Sequence, residues 1–184
     1  MIEIIFISSL LKIISMKKLI PVLVFFCALC KTVHAQEYNN TAPYQKDSTI
    51  PAFNLLLTDS TWFSKDLLPG QKPVIIIYFS PECGHCQLTA HAFEEKKDEL
   101  KDIFFVWVSY LPVDTVKKFA EDYKMLDEEN VRIGRDPNYF IPSYFRVKFT
   151  PFMAVYNKEG KLLKTYESGT DPDTLVKLLD LAKK

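Results

Sequence analysis

The run Val74-Ile75-Ile76-Ile77-Tyr78-Phe79, followed four residues later by Cys83-Gly84-His85-Cys86, constrains this chain more than any other feature. The run is short, β-branched and aromatic, which predicts a buried strand. Ser80-Pro81-Glu82 then offers a capping hydroxyl, a proline suited to the first helical position and an acid in the first turn, so a helix is expected to start there. Cys86, Ala90, Phe93, Leu100 and Phe104 fall close to a 3.6-residue period, with Lys97 filling one position by its aliphatic stem. A strand therefore delivers Cys83 to a helix N-terminus, where unpaired backbone N–H groups and the positive end of the helix dipole favour the reactive thiolate. Cys86, one turn in, faces inward and is placed to resolve a mixed disulfide on Cys83. Gly84 is expected to keep the turn unobstructed. Protonated His85 sets a positive charge beside the thiolate, which stabilises the reduced form and makes the disulfide more oxidising. The chemistry predicted is thiol–disulfide exchange.

Two blander readings of the pair are weaker. A Cys-x-x-Cys can be half of a zinc site, but four ligands are needed, no second cysteine pair lies downstream, and His91 is the one other histidine beyond the leader. A purely structural disulfide would be a short, strained and partly exposed loop, and such bonds are the labile ones. No metal and no cofactor is expected. The chain has 184 residues, 48% of them hydrophobic, enough for one domain with its own core, and its net charge of zero argues against a nucleic-acid partner.

The first 35 residues read as a leader. Met16-Lys17-Lys18 is a positive n-region, Leu19–Leu29 an apolar stretch, and Val33-His34-Ala35 a small-residue cleavage site before Gln36. Met16 is taken as the true start, with residues 1–15 a mis-assigned extension. An uncleaved anchor is the competing reading, although neither apolar run reaches the roughly 18 residues of a membrane span. Cys27 and Cys30 leave with the leader. It also carries four lysines and one glutamate, so 19 basic and 22 acidic residues follow it, a net charge of −3. An exported chain with one close cysteine pair has no disulfide scaffold to build, which leaves chemistry as the purpose of the pair.

Beyond the leader, residues 36–50 are polar and aperiodic and read as a flexible linker, with the domain at 51–184. Phe53–Leu57 is a candidate strand, Trp62-Phe63 returns toward the core, and Ser64–Leu68 is a short capped helix. After the dithiol helix, expected to run from Cys83 to Leu100, come a buried strand at Ile103–Tyr110 and a helix capped by Asp114 and ending near Tyr123. Strand, helix, strand, helix is the signature of a parallel βαβ core. Asp127–Tyr139 reads as irregular, and Ile141-Pro142 opens a short helix. Phe152–Tyr156 and Leu162–Tyr166 form a hairpin across Asn157–Gly160, and Asp171-Pro172-Asp173 opens a terminal helix with Leu175, Leu178, Leu179 and Ala182 on one face.

This order, with Cys83-Gly84-His85-Cys86 at a strand-to-helix junction and Phe149-Thr150-Pro151-Phe152 opening a later hairpin, resembles the thioredoxin fold: an α/β domain whose central mixed sheet is flanked by helices. The leader, the extra N-terminal hairpin and Phe79-Ser80-Pro81-Glu82 look more narrowly like the TlpA/ResA-type thiol:disulfide oxidoreductases of bacterial envelopes, over roughly Pro51 to Lys184. The resemblance implies Cys83 as the attacking cysteine, Cys86 as the resolving one, Pro151 as a cis-proline packed against them, and the Thr150 backbone as the group that pairs with an extended substrate segment. Phe79 is expected to pack near the site, and Glu82 either to act there or simply to stabilise the helix start. The chain departs from the family where many thioredoxins carry a buried acid six residues before the first cysteine: Ile77 stands there, so no proton acceptor for Cys86 is assigned. His91 replaces a helix-kinking proline, which predicts a straighter helix.

The partners implied are protein thiols and disulfides together with a membrane or periplasmic redox donor, in the periplasm or cell envelope, with membrane anchoring only if the leader is uncleaved. The direction of exchange is left open. Two alternatives stand beside this. Ser80, three residues before Cys83, is where peroxiredoxins have a hydroxyl, but Ile76 occupies the place of their proline. A Cu(I)-binding envelope chaperone would have cysteines three residues apart and a distant histidine, and this chain has neither.

Overall fold

In the computed structural model, which describes residues 41–182, successive side chains of the strand β3 (Val74–Tyr78) point to opposite faces of a sheet and are buried on both. Ile75 and Ile77 enter one hydrophobic cluster, and Val74, Ile76 and Tyr78 enter another. A strand apolar on both sides must lie inside a sheet covered on both faces, and β3 does: the seven strands run in the order β2-β1-β5-β4-β3-β6-β7. The other strands are β1 (Asn54–Leu57), β2 (Trp62–Ser64), β4 (Phe104–Ser109), β5 (Val131–Arg135), β6 (Phe152–Tyr156) and β7 (Leu162–Tyr166). β3, β4 and β5 are parallel; β1 meets β5, and β6 meets β3, in antiparallel fashion, so the sheet is mixed. β1 and β2 form the extra N-terminal hairpin, and β6 and β7 the second one.

Helices α2 (Gly84–Glu95), α4 (Val113–Asp122) and α6 (Pro172–Leu181) cover one face through Cys86, Ala90, Phe93, Val116, Phe119, Leu175 and Leu179. The short α5 (Phe140–Phe145) covers the other, with Ile50, Phe53 and Phe63. The leader, the start at Met16, Cys27, Cys30 and residues 36–40 lie outside the described residues. Among the described residues, no helix is long and apolar enough to cross a membrane.

Several expectations are corrected. Residues 41–50, assigned to a flexible linker, include a helical turn α1 (Pro43–Lys46), and Ala42 and Ile50 are buried. The Ile50 N–H donates to Gly160 O at 3.2 Å and Leu162 N–H to Ser48 O at 2.7 Å, so the backbone of this polar stretch is satisfied by the second hairpin. Asp127–Tyr139 contains β5. Two arginines broke its apolar alternation, yet Arg132 sits 5.6 Å over the Phe104 ring and Gly134 fits closely under Leu56.

The dithiol helix continues past His91, as its lack of proline predicts, but ends at Glu95 and restarts as α3 (Lys97–Leu100). Lys96 breaks it at φ −106°, ψ 14° without help from glycine or proline. The step is spanned by Lys96–Asp173 and Lys97–Glu128 ion pairs at 2.8 and 2.9 Å. Ser64–Leu68 is a 3-10 turn over Lys65–Leu67 rather than an α-helix. Asp114 lies in the first turn of α4, whose cap position is Pro112. Ala182, at the end of α6, is exposed.

Candidate active site

Ser80, Pro81 and Glu82 form a turn instead of the first helical residues, closed by Cys83 N–H donating to Ser80 O at 3.0 Å. The shift moves the N-cap from Ser80 to Cys83 itself, whose φ −85°, ψ 117° is extended while its carbonyl already accepts from Gln87 N–H at 3.0 Å. Its side chain is therefore placed where the first backbone N–H groups of α2 are unpaired. Gln87 Nε2 donates to Pro81 O at 2.9 Å and fixes the turn against the helix. Upstream, Phe79 N–H donates to Val108 O at 2.9 Å, so the sheet ladder holds the chain to within four residues of the sulfur.

Both cysteines carry free thiols, in unlike surroundings. Cys83 is half-buried, and its Sγ–H donates to the Thr150 carbonyl at 3.4 Å. Partial burial opposes ionisation of Cys83. The Thr150 side chain, the Cys86 N–H and thiol, and the His85 N–H outweigh it by hydrogen-bonding the sulfur, and the thiol is held below the ordinary range. The Thr150 carbonyl itself can only accept, so its contact belongs to the protonated form. Cys86 is fully buried with Ile75, Ile77, Phe79 and Phe93. Burial pushes its thiol up to about 12, aided by its contact with Cys83. One thiol is thus poised to ionise and the other to stay protonated.

Thr150 is half-buried and Pro151 buried, and the peptide bond between them is cis. Phe79 is fully buried beneath the site, edge-on to Trp107 with centroids 5.4 Å apart and 4.7 Å from Phe119. Ile77 places an aliphatic side chain in the Cys86 cluster. Glu82 and His85 are exposed, and His85 reaches Cys83 through its backbone N–H. Gly84 is not needed to relieve a clash: a Cβ there would meet nothing within 4 Å. His91 stands on the exposed side of α2, 3.7 Å from Glu95. Among the described residues, no three His, Cys, Asp or Glu side chains converge as a metal would require. Sequence reasoning passed over Gly169, which abuts Pro151; its one local signal is a glycine in the short turn before the Asp171 cap.

A dithiol at the start of a helix, set against a cis-proline on a mixed sheet of this order, defines a thioredoxin-type fold. The chain belongs to the thioredoxin-like domain family, whose model matches residues 64–183. The probable protein disulfide-isomerase A6 of Medicago sativa is 32% identical over 78 residues, 42% of this chain and 21% of that protein. The matched stretch is therefore only about a fifth of the length of that curated relative. A secreted disulfide oxidoreductase of Mycobacterium tuberculosis superposes with a TM-score of 0.58 at 18% identity, over 70% of this chain and 95% of that one. Peroxidoxin BcpB of the same organism gives 0.63 at 19% identity, over 74% and 96%. The exposed lipoprotein thioredoxin of Streptococcus pneumoniae gives 0.55 at 24% identity, over 71% and 99%. At these identities the likeness is one of fold.

Proposed function

We propose that this protein is an exported thiol:disulfide oxidoreductase of the TlpA/ResA type, acting on protein substrates through Cys83 and Cys86. The observation that carries the reading is the unequal pair: an accessible sulfur held toward the thiolate beside Thr150, and a fully buried partner pushed up to about 12. The Cys83 thiolate attacks one sulfur of a partner disulfide, whose S–S bond breaks and whose other sulfur leaves as a thiolate. Cys86 then loses its proton and attacks Cys83. The Cys83–Cys86 disulfide forms, and the partner departs reduced by two electrons. A dithiol donor in the envelope restores the reduced protein, and a more oxidising partner runs the same steps in reverse.

With Ile77 beside Cys86, no carboxylate is assigned to take its proton, and the departing substrate thiolate is the base nearest the reaction. Thr150 offers backbone groups to an extended substrate segment, while Phe79 supports the site from below. Glu82 stabilises the turn, and Gly84 leaves room for the incoming chain. The N-terminal hairpin, the Phe79–Glu82 stretch and the leader favour the envelope type, and two structural neighbours, one a secreted oxidoreductase and one an exposed lipoprotein thioredoxin, favour an extracytoplasmic site.

The test is a Cys86→Ser variant displayed to an envelope extract: partners should accumulate disulfide-linked to Cys83 and be identified by mass spectrometry. A Cys83→Ser control should capture none. Recovery of no linked protein would overturn the reading, and rapid peroxide turnover by the protein with a simple thiol would favour the peroxidase alternative instead.

A further inference from the structure

Gly169 lies between β7 and α6, far along the chain from either cysteine, with φ +73°. A Cβ built on it would stand 2.8 Å from Pro151 Cγ, 3.7 Å from Pro151 Cβ and 3.5 Å from Met153 Cε. The first contact is about 0.6 Å inside the 3.4 Å at which ordinary van der Waals contact begins. Pro151 is buried and cannot simply swing into solvent. Behind it, β6 is fixed by its ladder to β3, in which Met153 pairs with Ile77. What can yield is the segment before the ring, Thr150, whose carbonyl is 3.4 Å from Cys83 Sγ.

We propose that Gly169 is a positioning residue of the dithiol site: by carrying no side chain it lets the Pro151 ring seat against the β7–α6 turn and so keeps Thr150 within hydrogen-bonding reach of Cys83. The inference rests on the reading of Cys83 as the reactive thiol. A displacement at Thr150 matters because its carbonyl touches the Cys83 sulfur directly, at 3.4 Å. The Thr150 carbonyl holds the protonated sulfur while its side chain heads the groups that draw the proton off, so a retracted Thr150 disturbs the balance between the two forms.

The molecule supplies its own control. Gly160, in the β6–β7 turn, has the same left-handed backbone at φ +71°, but a Cβ there meets Ile50 Cδ1 at 3.6 Å, an ordinary contact. Gly160→Ala therefore bears the backbone cost without crowding Pro151, whereas Gly169→Ala bears both. Gly169→Asn adds the same Cβ on a residue that tolerates the left-handed region better.

The readout is the pH titration of the Cys83 thiolate, by ultraviolet absorbance of the reduced full-length chain and by its rate of alkylation with iodoacetamide. Gly169→Ala and Gly169→Asn should move the Cys83 midpoint by about half a pH unit, changing the alkylation rate about threefold below it. Gly160→Ala should keep the parent midpoint even if it lowers the melting temperature. Parent-like titration of both Gly169 variants would overturn the proposal. So would failure of both to fold while Gly160→Ala folds, since the contact would then serve the fold and not the site. No protein substrate enters these measurements, so an empty trap would sink the proposed function without touching this result, and an unmoved midpoint would do the converse.

Discussion

Replacing Cys86 with alanine should flatten the alkaline limb of the protein's stability curve. Cys86 is fully buried, and burial first, then its contact with Cys83, pushes its thiol up to about 12. In the unfolded chain the same thiol titrates near 8.5. Below about pH 8.5 both states hold the proton, and the contribution of the buried neutral thiol is fully present. Between about 8.5 and 12 the unfolded chain releases a proton that the folded one keeps, so unfolding gains about 1.4 kcal/mol per pH unit. At pH 10.5 the parent should have lost roughly 2.5 kcal/mol through this group alone. The buried phenols of Tyr78 and Tyr156 are also pushed up and add an alkaline slope of their own, but equally in both proteins. The quantity to compare is therefore the difference in slope; the level at neutral pH falls in the variant because a cavity is left. Urea unfolding of the reduced proteins, followed through the fluorescence of buried Trp107 from pH 7 to 10.5, measures it. Parallel curves for parent and Cys86→Ala would show that Cys86 titrates like an exposed thiol and would refute the division of labour between the two sulfurs.

Three further outcomes follow from particular contacts. Tyr156 is fully buried and its hydroxyl lacks a hydrogen-bond partner among the described residues, so Tyr156→Phe should stabilise the fold by up to about 1 kcal/mol, read as a higher urea midpoint at unchanged m-value; a clear loss would mean that the hydroxyl is satisfied in solution. Gly134→Ala would place a Cβ 2.7 Å from the Leu56 carbonyl oxygen, a backbone atom that cannot step aside, and should cost about 2–3 kcal/mol by denaturant unfolding as β1 is pushed from β5. Buried Asp136 accepts from Asn138 N–H at 3.2 Å and Ile141 N–H at 2.8 Å. Asp136→Ala should therefore lose about 3 kcal/mol, with Asp136→Asn losing clearly less because it retains one acceptor; equal losses would contradict the hydrogen-bond account.

Elements with strong local patterns were readable from the chain. The β3 run, the strand at Phe104–Ser109, the hairpin across Asn157–Gly160 and the helix opened by Asp171, whose carboxylate accepts from Thr174 N–H at 2.9 Å, are each set by periodicity, turn residues or a cap within a few positions. β5 was not, because its burial comes from β1 and β4 on either side and from Phe104 under Arg132, and none of these is a neighbour in sequence. The order of residues 41–50 likewise depends on Gly160 and Leu162, more than a hundred residues away. At the site, the start of α2 moved three residues, from Ser80 to Cys83, because the Ser80–Cys83 turn competes with the capping hydroxyl, and only the folded chain decides between them.

By itself the amino-acid sequence determined that two cysteines one helical turn apart would follow a doubly buried strand, because alternation and helical period are properties of adjacent residues. The tertiary structure decided which sulfur is which. Thr150, Pro151 and Gly169 come to Cys83 from 67 to 86 positions away, and the cluster around Cys86 is assembled from four strands and several helices. Ionisation of a thiol is governed by the solvent it loses and the donors it gains, and both are set by atoms that only folding brings together.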